Sequence, residues 1–410
     1  MSKFRTGAAV GAGAFVAHAS RLLRRGSGEV IGGKLIQRLD PLALSSLAAG
    51  RESVCVSATN GKTTTTRLLT AALATFGPVA TNTGGANMTA GVITALARSR
   101  GAARAALEVD EIFLPSVARE VRPRAVVLMN LSRDQLDRSN ETRRIAGMWR
   151  ALGASLAGTT AVANADDPLV AWAAMGFRDV IWVGAGQVWT ADAMVCPSCA
   201  SLLRREGEDW WCANCSLRRP TPSITLDGPS TIVVDGLAHL VELGIPGRCN
   251  LANAAMAAAA AELLGVPAEA ALQAMRSVGS VEGRYSTVEL APDRPARLLL
   301  AKNPAGWTEM LELLDLEIAR GCLIAFNSRI ADGRDPSWIW DVPLERLAGR
   351  PVAVWGERAA DMSLRLAYAD VAHTVYDSPR AAAMALPPGG IDVVASYTAF
   401  REIAFGSGPR

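Results

Sequence analysis

Val54-Cys55-Val56-Ser57-Ala58-Thr59-Asn60-Gly61-Lys62-Thr63-Thr64-Thr65-Thr66 is the stretch that decides the fold. It opens as an apolar, partly alternating run, the pattern of a buried strand. It turns at Asn60-Gly61 and continues into Arg67-Leu68-Leu69-Thr70-Ala71-Ala72-Leu73, which reads as a helix. Strand, tight turn, Gly-Lys-Thr and helix are the parts of a phosphate loop for a nucleoside triphosphate. The first N–H groups of the helix have no partner within it, and the helix dipole favours negative charge there. Lys62 is expected to reach the β/γ-phosphates and the Thr63 hydroxyl to hold Mg²⁺, with Thr59, Asn60, Gly61 and Thr64 completing the nucleotide-facing turn. The general motif has a Gly where this chain has Val56. The plainer alternative is a Thr-rich cap on an ordinary helix with Lys62 at the surface.

Composition narrows the setting. A chain of 410 residues suggests two or three domains with ample core. Half the residues are hydrophobic and only 5% aromatic, which suggests a soluble, Ala-rich α/β protein. A net charge of +3 gives no case for nucleic acid. Lys3 and Arg5 precede an Ala/Gly-rich apolar run from Gly7 to Ala17, superficially like a signal peptide. The run is short, His18 and Arg21 follow at once, and nothing approaches the ~18 apolar residues of a spanning helix. A helix that packs on the protein or brushes a membrane surface is the expectation, and phosphate-loop chemistry points to the cytoplasm, where the nucleotide is.

Past an opening helix, a Gly-rich turn (Gly26, Gly28, Gly32, Gly33) and a short helix near Leu42 to Ala49, strands and helices alternate. Ala105 to Glu111 delivers Glu108, Asp110 and Glu111 at a strand's C-terminal end, where ligands sit in parallel sheets. A carboxylate there suits the Mg²⁺ shell; helix capping suits it too. Strands ending at Asn130 and Asn164 lead into polar loops, the first containing Arg133-Asp134-Gln135-Leu136-Asp137-Arg138, and a fifth strand is expected at Val180 to Val183. The spacing predicts a doubly wound parallel sheet.

Four of the seven cysteines cluster as Cys196-Pro-Ser-Cys199 and Cys212-Ala-Asn-Cys215. Two such knuckles on a small β-ribbon close a tetrahedral Zn²⁺ site with no open position for catalysis, against a redox role as the alternative. Trp210 and Trp211 are expected to pack against it. Cys55, Cys249 and Cys322 read as buried thiols of a reducing compartment. Further on, Asn250 and Asn253 share a helix face, suited to an adenine edge, a neighbouring loop or a cap. Arg284 sits on a turn suited to a phosphate. From about residue 290 a separate α/β unit begins, with strands at Arg297–Ala301, Cys322–Asn327, Val352–Trp355 and Ile391–Ala395. Its Asp332 to Asp341 loop combines three carboxylates with two Trp residues, more chemistry than a solvated connection requires.

Together these motifs resemble the MurT family, the Mur-ligase-like subunits of lipid II isoglutaminyl synthase, from about residue 25 onward. The resemblance rests on Ala58-Thr-Asn-Gly-Lys-Thr63, Glu108-Val-Asp-Glu111, the Arg133–Arg138 run, the four-Cys insertion, Asn250-Leu-Ala-Asn253, Glu282-Gly-Arg284, Lys302-Asn-Pro-Ala-Gly306, Ala331-Asp-Gly-Arg-Asp335 and Trp338-Ile-Trp-Asp341. It implies a Mur-ligase-type ATP-binding domain over residues 1–288 with a zinc-ribbon insertion at 193–219, and a smaller Rossmann-like α/β domain over 289–410. The N-terminal UDP-binding domain of Mur ligases is expected to be missing. The implied reaction is ATP-dependent amidation of the α-carboxylate of D-Glu in the lipid II stem peptide, through an acyl phosphate, for peptidoglycan synthesis at the inner face of the membrane. Ammonia is implied to come from a GatD-type glutaminase in a heterodimer. His18, His239 and His373, the chain's histidines, lie in no glutaminase motif. By family role, Lys62, Thr63 and Glu108 serve nucleotide and Mg²⁺, Asn253 faces adenine, Arg284 faces the phosphates and Asp341 handles ammonia. Two positions depart from the family pattern: Ala58 replaces a Gly, which needs a negative φ, and Ser328 stands where Asp is expected. A stand-alone amino-acid ligase of the Mur or folylpolyglutamate type, and a non-catalytic zinc-ribbon scaffold, are the rival readings.

Overall fold

A computed structural model describes residues 2–22, 29–82, 85–133, 142–281, 284–317 and 320–406. Three helices come first: α1 (Ser2–Leu22), α2 (Glu29–Leu39) and α3 (Ala43–Ala48). The turn expected around Gly32 and Gly33 is instead the interior of α2, while Gly26 and Gly28 lie outside the described residues. The reason is packing. A Cβ on Gly32 would stand 2.9 Å from the Gly13 carbonyl of α1, and one on Gly33 only 1.9 Å from the Ala90 carbonyl. The two glycines let α2 lie directly between its neighbours, at the usual cost of Gly in a helix.

The first sheet is built on alternating units: β1 (Glu52–Ser57), α4 (Lys62–Leu73), β2 (Val79–Thr81), α5 (Thr89–Arg98), β3 (Arg104–Glu108), α6 (Leu114–Val121), β4 (Ala125–Leu128), α7 (Thr142–Ser155), β5 (Thr160–Asn164), α8 (Pro168–Ala174) and β6 (Asp179–Gly184). A ribbon of β7 (Leu203–Glu206) and β8 (Asp209–Cys212) interrupts it, and β9 (Ile224–Asp227), β10 (Thr231–Val234) and β11 (Leu237–Leu240) complete it. Among the described residues the strand order is β11-β10-β9-β6-β5-β4-β1-β3-β2. The strands from β2 to β6 pair in parallel, and β6 pairs parallel with β9; only β9, β10 and β11 form an antiparallel meander. Strand β1 is central, and Ser53 to Ser57 are buried on both faces, as a parallel strand covered by helices on each side requires.

Helices α9 (Arg248–Glu262) and α10 (Ala268–Met275) close one face. Leu251 and the run Asn253 to Ala261 are buried almost all round, the signature of a helix enclosed by protein. Its alanines let α9 come close to both the sheet and α4, where Leu68, Leu69 and Leu73 are fully buried. Each such leucine contributes about 1.5–3 kcal/mol of burial.

The second sheet comprises β12 (Tyr285–Ala291), β13 (Arg294–Leu300), β14 (Gly321–Ala325), β15 (Val352–Trp355), β16 (His373–Val375) and β17 (Ile391–Ala395), in the order β12-β13-β17-β14-β15-β16. Helices α11 (Pro304–Asp315), α12 (Ala359–Tyr368), α13 (Pro379–Ala385) and α14 (Tyr397–Phe405) cover it. The boundary expected after residue 288 falls inside β12, which pairs antiparallel with β13 from Tyr285 onward.

Candidate active site

The phosphate loop lies where the sequence places it, at the C-terminal end of β1 and the start of α4. Gly61 has φ +86°, and a Cβ there would stand 2.7 Å from Asn253 Oδ1. Only Gly satisfies both the left-handed turn and the close approach of α9. Ala58 is not among the positive-φ residues, so it meets the condition under which Ala can stand at that position.

Lys62 is buried and forms an ion pair with Glu111 at 2.9 Å, the two side chains being 8% and 11% exposed. Its ammonium also donates to the Ala58 carbonyl. Burial alone pulls the Lys62 pKa down, but the charges of Glu111, Glu108 and Asp110 and the Glu111 hydrogen bond outweigh it, and the net shift is upward. Lys62 therefore stays charged inside the protein. Glu111 was among the three acids at the end of β3 but not among the expected site residues. Glu108 is buried beside it and accepts from Asn87 Nδ2 at 3.3 Å, while Asn82 bonds its backbone N–H and carbonyl. Thr63 is half-buried at the first turn of α4.

Asn130, at the end of β4, fixes the loop from the other side. Its Oδ1 accepts from the Asn60 N–H at 2.9 Å, and its Nδ2 donates to the Asn60 carbonyl at 3.0 Å. Thr59 Oγ1 accepts from the Ser132 N–H at 3.0 Å. The sequence flags this polar loop without singling out Asn130. Residues Asp134 to Arg138, like Glu282 and Gly283, lie outside the described residues. Asn60 and Asn303 exchange amide hydrogen bonds, both at 3.1 Å, joining the phosphate loop to the second sheet's domain. Asn303 also caps α11 by accepting from the Gly306 N–H at 2.8 Å, which accounts for the Lys302 to Gly306 motif.

A cavity opens beside the loop, lined by Thr59 to Lys62, Thr64, Asn164, the Ala185–Trp189 segment, Asn250, Asn253, Arg284, Lys302 and Glu309. It thus brings together most of the expected nucleotide residues. Asn253 Nδ2 donates to Asn250 Oδ1 at 3.2 Å, which aims its own Oδ1 at Gly61. Asp167 caps α8 and also accepts from the Leu131 N–H at 2.9 Å. Burial lifts its pKa to about 6 despite three backbone donors. Burial and the nearby Glu312 push Glu309 up to about 7.

Of the three acids in the Asp332–Asp341 loop, two have structural work. Asp332 is buried and accepts from Thr398, through N–H and hydroxyl, and from the Arg329 N–H. Asp335 caps the turn at the Ser337 N–H. Ser328, where Asp is the expectation, donates to the Gly333 carbonyl at 2.8 Å and so closes the loop. Asp341 is different: its side chain is 46% exposed and pairs at 3.3 Å with Arg133, which follows the loop-fixing Ser132. Arg133 is held in turn by Asp192 at 2.5 Å. Trp338 packs into the core edge-on to Phe326, and Trp340 stacks edge-on to Tyr368.

The four ribbon cysteines offer Sγ atoms all within 4.8 Å of one another, with Cys196–Cys215 at 3.7 Å and Cys199–Cys212 at 3.3 Å. Ligands of a tetrahedral zinc at about 2.3 Å lie roughly 3.8 Å apart, so the donor set fits the ion. Trp210 is buried against Cys196 and Cys212, as expected. Trp211 is not: strand alternation turns it outward, 39% exposed.

The three-layered parallel sheet, its phosphate loop and the second α/β sheet packed over that loop define a Mur-type ligase. The family described as "Mur ligase middle domain" matches residues 56–261, and "MurT ligase C-terminal" matches 300–400. The MurT subunit of lipid II isoglutaminyl synthase (glutamine-hydrolyzing) from Streptococcus pneumoniae R6 is 30% identical over 84% of this chain and 83% of its own length. The chain belongs to the MurT family. In fold it resembles a pseudomurein peptide ligase type C from Methanothermus fervidus, at TM-score 0.68 and 20% identity over 86% of this chain and 78% of that one. It also resembles the MurF ligase of Thermotoga maritima in complex with ADP, at TM-score 0.64 and 17% identity over 90% and 82%. No helix among the described residues is long and apolar enough to cross a membrane.

Proposed function

We propose that this ligase amidates the α-carboxylate of D-Glu in the lipid II stem peptide, with ATP and Mg²⁺ as cofactors, a structural zinc, and ammonia from a GatD-type glutaminase subunit. ATP supplies the phosphoryl group that makes a carboxylate oxygen a competent leaving group. Lys62 and the first N–H groups of α4 hold the phosphates, and Thr63 and Glu108 hold the magnesium ion. Thr59, Asn60, Gly61 and Thr64 shape the loop, Asn253 faces the adenine and Arg284 the phosphates. A cation-lined site of this kind lowers the cost of charge developing on the transferred group.

The observation that carries the reading is Asp341. It alone of its loop's acids has no cap or core to serve, and it pairs with Arg133, the residue after Ser132, whose N–H donates to Thr59 of the phosphate loop. A carboxylate there can hold an ammonium ion, accept its proton and leave the neutral amine to attack the activated carbonyl. Lipid II at the membrane's inner face is the substrate, and work there needs no spanning helix.

The test uses purified protein, lipid II, Mg²⁺-ATP and free ammonium at raised pH, with mass spectrometry of the stem peptide. Wild type is expected to amidate, and Lys62→Ala to lose amidation while remaining folded. Asp341→Asn should keep ATP binding and lose amidation by about 10²–10⁴-fold, the usual worth of a general base. Full amidation by Asp341→Asn with glutamine and the glutaminase present overturns the role of Asp341. Turnover with an amino acid and no ammonium establishes a stand-alone ligase instead, and absence of any ATP turnover establishes a scaffold.

A further inference from the structure

The zinc ribbon is bonded to the wall of the nucleotide cavity, and a short chain of residues makes the connection. Beyond the second knuckle the backbone returns along β8: the Cys212 N–H donates to the Leu217 carbonyl at 2.8 Å and the Arg219 N–H to the Trp210 carbonyl at 2.9 Å. Arg219 is thereby fixed by the same strand that carries a zinc ligand. Its guanidinium leaves the ribbon and pairs with Asp166 at 2.6 Å, with side-chain exposures of 14% and 8%. The other oxygen of Asp166 accepts from the Gly186 N–H at 2.6 Å. The Gly186 carbonyl accepts from Asn164 Nδ2 at 3.1 Å, so both backbone polar groups of this residue are held. Gly186 has φ +82° and sits in the Ala185–Trp189 segment that lines the cavity. Two further ties run the same way: Trp210 Nε1 donates to the Ala165 carbonyl at 3.0 Å, and Arg205 donates to Gln187 Oε1 at 2.8 Å.

We infer that Arg219 and Asp166 are positioning residues that transmit the order of the zinc ribbon to the Gly186 wall, so that nucleotide affinity depends on the ribbon although no ribbon residue carries out chemistry. The inference rests on the cavity being the nucleotide site. Two partners of one buried ion pair are fixed by different units, one by the ribbon and one by the loop after β5. Arg219 also lies 3.6 Å from Glu208 and 3.5 Å from Asp209, so the larger cost falls on Asp166: without Arg219 its carboxylate, 8% exposed, loses the cation at 2.6 Å that fixes it, and the Gly186 N–H is then held by an acceptor free to shift. The reaction centre near Lys62 and Glu108 is not part of this chain of bonds. The effect therefore falls on nucleotide binding rather than on turnover of bound substrate.

The experiment measures Mg²⁺-ATP binding by calorimetry, with zinc content by elemental analysis and turnover against ATP concentration. Arg219→Ala is expected to retain zinc, weaken ATP about tenfold and raise its KM with kcat nearly unchanged; Arg219→Lys should recover part of the loss. Chelating the zinc should weaken ATP clearly more in wild type than in Arg219→Ala, where the Arg219–Asp166 link is already cut and only the Trp210–Ala165 and Arg205–Gln187 bonds remain. Asp166→Asn, which keeps an acceptor for Gly186 but removes the charge, supplies the same reading should Arg219→Ala fail to fold. Wild-type affinity in a zinc-loaded variant, or equal loss on chelation in wild type and variant, overturns the inference. Failure of wild type to bind ATP overturns instead the assignment of the cavity.

Discussion

Replacing Glu111 by Gln should expose how the protein keeps a lysine charged in its interior. At 2.9 Å the Lys62–Glu111 attraction is about 6 kcal/mol at an effective dielectric of 20. Removing one partner of such a buried pair costs about 3–5 kcal/mol, since the remaining charge keeps its desolvation penalty. Lys62 has an escape: it can lose its proton. From its ordinary value of 10.5, neutralisation costs about 1.4 kcal/mol per pH unit, which caps the penalty near 5 kcal/mol at pH 7 and near 2 kcal/mol at pH 9. The sign follows from linkage. In wild type the folded pKa is raised, so the pair's stabilisation is complete below 10.5 and is lost only as pH rises through the still higher folded value. In Glu111→Gln the folded pKa falls below 10.5, and destabilisation shrinks as pH rises toward it. Urea unfolding of wild type and variant at pH 7 and pH 9 should therefore give a deficit of about 3–5 kcal/mol that falls to about 2 kcal/mol or less. Mg²⁺-ATP, whose phosphates offer Lys62 a new counter-charge, should stabilise the variant more than wild type. A deficit below about 1 kcal/mol at pH 7, or one equal at both pH values, refutes the buried pair.

Other perturbations reach different parts of the molecule. Purified without chelator, the protein should contain about one zinc per chain, and Cys199→Ser should lose metal and thermal stability, checked by elemental analysis and calorimetry. Gly61→Ala forces a side chain into φ +86° against Asn253 Oδ1; a cost of about 1–2 kcal/mol and a rise of at least tenfold in the ATP KM are expected from steady-state kinetics. Glu309 has its folded pKa raised to about 7 from 4.5, so it removes stability as pH rises between those values; Glu309→Gln should gain about 1–3 kcal/mol at pH 8 and little at pH 4.5, measured by urea unfolding.

The elements legible in the sequence are those whose cause is local. Ser53 to Ser57 announce a strand buried on both faces, Asn60-Gly61 a turn, and the knuckles a tetrahedral thiolate set; each signal is complete within a few residues. The misread positions depend on something distant. Gly32 and Gly33 have the composition of a turn, and only α1 and α5 reveal that they are contact points between helices. Asn130, Glu111 and Asn303 stand outside the phosphate-loop motif, yet each holds it, from 49 to 243 residues away in the chain. Asp332, Asp335 and Asp341 are indistinguishable as letters. They separate only when Thr398 and the Ser337 N–H claim two of them.

The partners of the phosphate loop also set what nucleotide binding can achieve. Asn60 has its amide on Asn303 and its backbone on Asn130, Thr59 is held by Ser132, and Lys62 is held by Glu111. Were phosphates to bind at Lys62 as proposed, they would exchange with a carboxylate already there, and the gain would be the difference between two ion pairs rather than the whole of one. The Asn60–Asn303 pair adds a consequence for the second domain. The Asn60-Gly61 loop is bonded to the cap of α11, and α11 carries Glu309 at the cavity wall. A nucleotide that shifts Asn60 must either carry α11 with it or break two amide hydrogen bonds, each worth about 0.5–1.5 kcal/mol. Carrying α11 along moves the domain that holds Asp341, so the same contact couples occupancy of the phosphate loop to the position of the carboxylate assigned to the amine.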